Sequence, residues 1–126
     1  MSTKKQLLFV TDGIFPHSIG GMQRHSLLLI ESLAKTGLLD ITVIHPHDKT
    51  VFDPSLGLKE IKIPFDFNGF YIKKCYEYSK LTAEIIRQHP DAVVYGQGFS
   101  VLSGLAQFGD RVIINPHGLE PYQRLT

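Results

Sequence analysis

Five short apolar runs, each closed by glycine or proline within a few residues, constrain the fold of this chain more than any other feature. Gln6-Leu7-Leu8-Phe9-Val10 has the length and composition of a buried strand and stops at Asp12-Gly13. The stretch from Gly13 to Gly20, with Pro16 inside it, is a loop. Met22 to Thr36 is helical: Met22, Ser26, Leu29, Ile30 and Leu33 share one face, and Gly37 is placed to stop it. Ile41 to Ile44 is the second strand, ended by His45-Pro46, and Leu58 to Ile63 alternates apolar and charged residues as an edge strand does. Phe70 to Gln88 is the second helix, closing at His89-Pro90, and Ala92 to Tyr95 is the fourth strand. Gly96-Gln97-Gly98 then turns into a helix of about ten residues from Phe99, and Arg111 to Asn115 is the fifth strand, ending at Pro116-His117-Gly118.

This alternation predicts an α/β fold with a doubly wound parallel sheet. Right-handed crossovers place the five strands in the order 3-2-1-4-5, with the switch point between the first and the fourth. Ligands of such sheets bind beyond the C-terminal strand ends, so the loops at 11–21, 45–48, 96–98 and 115–120 form the functional rim. The chain stops soon after the fifth strand, with no helix to cover its second flank, and is expected to be the front part of something longer.

Composition narrows the function classes. At 126 residues and 43% hydrophobic, the chain has the apolar content of one globular domain, which disordered chains lack. No apolar run approaches the roughly 20 residues a bilayer requires. Thirteen Lys and Arg against twelve Asp and Glu leave no basic stripe, so neither nucleic acid nor an anionic membrane is an expected partner. Lys4-Lys5 precedes only a five-residue apolar stretch and does not form a signal peptide. The single cysteine, Cys75, permits no internal disulfide and is expected as a buried thiol in a cytosolic chain.

The densest rim segment runs from Phe15 through Gly20-Gly21 to His25. A glycine pair at a helix start lets backbone N–H groups approach a ligand, and the helix dipole there favours an anion. The dinucleotide fingerprint does not fit, because Gly13 to Gly20 is too long a gap and Gly96-Gln97-Gly98 has Val101 where a third glycine belongs. There is no P-loop lysine, and no cofactor is implied.

Together these residues resemble the opening of the family 4 (group 1) GT-B nucleotide-sugar glycosyltransferases. The resemblance rests on the first strand followed by Pro16, Gly20-Gly21 and His25, then Leu33-Ala34 with Gly37. His89-Pro90-Asp91-Ala92-Val93-Val94 and Asn115-Pro116-His117-Gly118 continue it. It implies a Rossmann-like N-terminal, acceptor-side domain, whose partner domain binds most of the nucleotide sugar and holds the basic pair and the E-x7-E carboxylates missing here. It also implies retaining transfer from a nucleotide sugar to an acceptor that is a sugar, a lipid-linked sugar or a small molecule. Such a protein is cytoplasmic and could lie against the inner face of the membrane. Carried over residue by residue, Gly20 and Gly21 face the donor diphosphate and His117 is the catalytic histidine beside the transferred sugar. His17, Gln97, Gly118 and Glu120 are acceptor-side candidates. The departure follows the fourth strand, where the family often has a histidine-bearing segment and this chain reads Tyr95-Gly96-Gln97-Gly98. By itself this chain is expected to be inactive.

Two other functions stay open: a non-catalytic module holding a nucleotide or sugar phosphate at Gly20-Gly21, and a metal-dependent hydrolase. The second would use His45 and His47, with His117 as a third ligand, although no fourth ligand is evident and no metal is assigned. His25 is expected to pack or cap against the glycine loop, and His89 to end its helix. On the second helix, Ile72, Cys75 and Ser79 should face the sheet and Lys73, Lys74 and Lys80 the solvent; Phe70, Tyr71, Tyr76 and Tyr78 are core or, as a rival, an acceptor platform. Lys59, Glu60 and Lys62 protect one sheet edge with charge. Val112-Ile113-Ile114 leaves the other edge apolar, which predicts a homodimer through the fifth strand.

Overall fold

The computed structural model describes residues 4–12, 21–66, 69, 71–97 and 100–115. Among these residues five strands form one parallel sheet: β1 (Lys5–Val10), β2 (Leu39–His45), β3 (Lys59–Lys62), β4 (Val93–Gln97) and β5 (Val112–Asn115). Their order is β3-β2-β1-β4-β5, as the right-handed crossover rule requires. Among the described residues three helices connect them: α1 (Gly21–Thr36), α2 (Tyr71–Arg87) and α3 (Leu102–Phe108). A single 3-10 turn covers Pro54–Leu56, and another, Gly109–Arg111, leads into β5.

Each face of the sheet has its own core, because strand side chains alternate. On one face Leu7, Phe9, Ile41 and Val43 pack with Ile30 of α1 and with Phe52. On the other, Leu8, Val10, Ile44 and Val94 pack with Ile86 of α2 and with Val101. Gly37 ends α1 with φ +68° and donates its N–H to the Ala34 carbonyl, the left-handed stop its position implied. Arg111 closes α2 from outside: its guanidinium donates to the carbonyls of Ile86, His89 and Ala92 over 2.8–3.0 Å. A cation placed on the orphan carbonyls of a helix end also opposes the negative end of its dipole.

The elements match the expected ones in type and order, with instructive shifts at their ends. β2 runs on to His45 and β4 on to Gln97, so neither His45 nor Gly96-Gln97 belongs to a turn. Pairing overrides the local turn preference: Gly96 lies opposite Val10 on one side and Ile114 on the other. α3 is seven residues long rather than about ten and starts at Leu102, after the bend that places Val101 against β4.

Candidate functional site

The chain leaves β1 for α1 on one face and enters β4 from α2 on the other, so the strand order reverses between β1 and β4. Beyond their C-terminal ends lies a group of buried polar residues: Thr11, Asp12, Gln97 and Ser100. The ladder continues one residue past β1, where the Thr11 N–H donates to the Ile44 carbonyl at 3.0 Å. Tyr78, fully buried on α2, donates its hydroxyl to the Thr11 carbonyl at 2.8 Å. Burial pushes the Tyr78 phenol well above its ordinary value, and the negative charge of Asp12 adds to the effect. Tyr78 is therefore held protonated, as a donor must be.

Hydroxyls fasten β4 to the helices behind it. Ser100 donates to the Gln97 carbonyl at 2.6 Å, and the Thr82 hydroxyl lies 2.9 Å from the carbonyls of both Ser79 and Ser100. Ser79 accepts the Ser103 N–H at 3.2 Å. Gly96 serves the same junction sterically. A Cβ there would stand 2.7 Å from Val101 Cγ1 and nearer still to Cγ2, so only glycine lets the Val101 side chain lie against the strand. The Gly-Gln-Gly run is thus a packing device at its first glycine, which accounts for its mismatch with a nucleotide fingerprint.

Gln97 differs from its neighbours. Its side chain is fully buried, yet neither the amide nitrogen nor the amide oxygen has a hydrogen-bond partner. The hydroxyl of Ser26, buried on α1, is in the same condition. Gln97 ends β4, where a bound molecule meets a sheet of this topology.

A second polar assembly occupies the rim beyond β2 and β3. His45 Nε2 lies 2.7 Å from Glu60 Oε1, and its Nδ1 accepts the His47 N–H at 3.2 Å. An Nδ1 that accepts carries no proton, so Nε2–H is the donor to Glu60. The same carboxylate accepts the N–H groups of Val51 and Phe52 at 2.9 and 3.2 Å. Burial by itself raises the Glu60 carboxyl, but the Val51 N–H, the His45 ring and the Phe52 N–H outweigh it and bring it below the ordinary value. Glu60 is therefore a loop anchor and not a solvated edge charge, which corrects the expectation that it guards β3; Lys59 and Lys62 alone are exposed there. The metal-hydrolase alternative also loses its first ligand, because both ring nitrogens of His45 are engaged. Among the described residues no group of three potential ligands comes together.

Of the residues singled out by sequence, Gly21 is the first residue of α1 and Gln97 the last of β4. Gly20, His17, His117, Gly118 and Glu120 lie outside the described residues. The aromatic platform on α2 is not formed by its described members: Tyr78 is buried in the core, whereas Tyr76 is 48% exposed beneath the Lys80 ammonium. Cys75 and Ser79 are buried as expected, and Lys73 and Lys80 are exposed. His89 lies two residues past the end of α2 and reaches back to it, with Nδ1 2.8 Å from the Ile85 carbonyl. His25 is exposed on α1, and the glycine loop it is expected to pack or cap against lies outside the described residues apart from Gly21. Sequence reasoning missed Asp12, Ser100 and Glu60. Asp12 was visible as the first charged residue past β1; the pairing of Glu60 leaves no local trace.

An open parallel sheet in the order 3-2-1-4-5, with helices on both faces and polar residues at the switch point, defines a Rossmann-like α/β protein. Among solved structures the chain is similar to the C-terminal domain of a hydrogenase from Pyrococcus furiosus, with a TM-score of 0.52 and 12% sequence identity, over 91% of this chain and 95% of that one. At that identity the likeness is one of fold alone. No protein-family model matches the chain, and no curated protein matches it. Among the described residues no helix is long and apolar enough to cross a membrane.

Proposed function

We propose that this chain is the acceptor-side domain of a retaining glycosyltransferase, working in the cytoplasm on a nucleotide-sugar donor supplied largely by a second domain. The observation that carries the proposal is the placement of Gly21 and Gln97. Gly21 opens α1 after β1, and Gln97 closes β4, so both stand at the C-terminal strand ends where the sheet order reverses. Backbone N–H groups at the start of a 16-residue helix suit a departing diphosphate. A buried neutral amide suits an uncharged partner. In the reaction the bond from the anomeric carbon to the diphosphate oxygen breaks and one to an acceptor oxygen forms, with the acceptor proton leaving to the diphosphate.

The test is amide NMR of the labelled chain titrated with UDP and GDP. Weak binding that shifts the Gly20 and Gly21 amides first is expected. Shifts confined to another part of the sheet would remove the reading.

A further inference from the structure

Among the described residues, the Gln97 amide, at both its atoms, and the Ser26 hydroxyl are buried without a hydrogen-bond partner. Native proteins rarely leave such groups unanswered, because their hydration has been given up without return. Both belong to one face of the sheet. Along β4, Val93 and Tyr95 pack into the core on the α1 face, and alternation puts Gln97 next in that row. Ser26 lies one turn before Ile30, a member of the same core, and α1 runs antiparallel to the strands. Its early residues are therefore at the C-terminal strand ends, as Gln97 is. Two residues before Gln97 in the same row, the Tyr95 ring lies 5.0 Å from that of Phe9, tilted by 32°.

The chemistry of these groups selects a ligand class. A carboxamide offers donors and an acceptor side by side, and adjacent sugar hydroxyls, each able to donate and accept, match both. An ionised phosphate, which only accepts hydrogen bonds, would leave the amide oxygen unpaired. A sugar ring is also amphipathic, so its C–H face suits an aromatic ring while its hydroxyls meet polar side chains.

We propose that Gln97 reads a sugar ring, its amide accepting from one hydroxyl and donating to the next, with the ring's C–H face toward Tyr95 and Ser26 beside it. The acceptor is then a glycoside held by its ring and not a lipid or an aromatic aglycone. This rests on the acceptor-side reading given above, but its test does not use a nucleotide. The chain is titrated with a panel of methyl hexopyranosides while the Gln97 side-chain amide resonances are followed, and the titration is repeated on Gln97→Met. Millimolar binding that shifts those resonances is expected. In Gln97→Met binding should weaken tenfold or more while the melting temperature holds or rises, since an unpaired buried amide has been replaced by an apolar side chain of similar length. No shift with any glycoside, undiminished binding by Gln97→Met, or a lowered melting temperature that reveals a structural partner would each overturn the proposal. Glycoside binding at Gln97 without nucleotide shifts at Gly20 and Gly21 would sink the transferase reading and leave this one standing.

Discussion

The Tyr78 hydroxyl donates to the Thr11 carbonyl over 2.8 Å and so ties the middle of α2 to the first residue beyond β1. Both residues are fully buried, which leaves that carbonyl no water to turn to. Tyr78→Phe keeps the ring and deletes only the donor. It should cost about 1–3 kcal/mol in urea unfolding, the penalty of an unsatisfied buried acceptor. A loss near zero would mean that another group takes over the carbonyl.

The raised Tyr78 phenol also sets an alkaline limit. In the unfolded chain this tyrosine ionises near pH 10, while in the fold burial and then Asp12 hold it protonated to higher pH. The unfolded state thus sheds its proton first, and stability falls above about pH 10. Urea midpoints should decline with alkalinity in the wild type and decline less in Tyr78→Phe.

Glu60 acts at the other end of the scale. Its carboxyl is lowered in the fold, so its contribution is present above its ordinary value of 4.5 and is lost as the pH falls through the folded value. Glu60→Gln cannot accept from His45, Val51 and Phe52 as a carboxylate does, and should cost about 1–3 kcal/mol at neutral pH. The same variant should show a flatter acid limb when urea midpoints are measured from neutral pH downward.

Gly96→Ala forces a methyl into Val101. Overpacking of this kind costs about 1–3 kcal/mol. Adding Val101→Ala should recover part of that loss, and a double-mutant cycle measures how much. Strict additivity would show that Gly96 is needed for another reason.

Among the described strands β5 lies at one edge of the sheet, and its Ile113 is 56% exposed. Unpaired backbone groups with apolar side chains favour strand-to-strand association. The chain should sediment as a two-fold dimer at micromolar concentration, and Ile113→Lys should shift it to monomer. A monomeric wild type contradicts this.

The architecture was legible because it depends on short-range periodicity. Val10 before Asp12-Gly13, the α1 stripe ending at Gly37, and β5 all follow from which side chains recur toward a core. The handedness of crossovers then leaves little freedom in strand order. Gln97 was also legible as a candidate, through the residues that follow the fourth strand. What the local pattern could not convey is which polar groups meet across distance. Glu60 reads as one charge in an alternating edge strand, yet its carboxylate turns inward to His45, fifteen residues earlier, and to two loop amides. Gly96 reads as turn punctuation, yet the space it leaves is occupied by Val101. Tyr78 reads as one aromatic among several, yet its hydroxyl meets a carbonyl 67 residues away. Periodicity decides whether a side chain faces a core. Only the packed chain decides whether a buried polar atom finds a partner there, because each partner comes from an element whose position is set by the whole sheet.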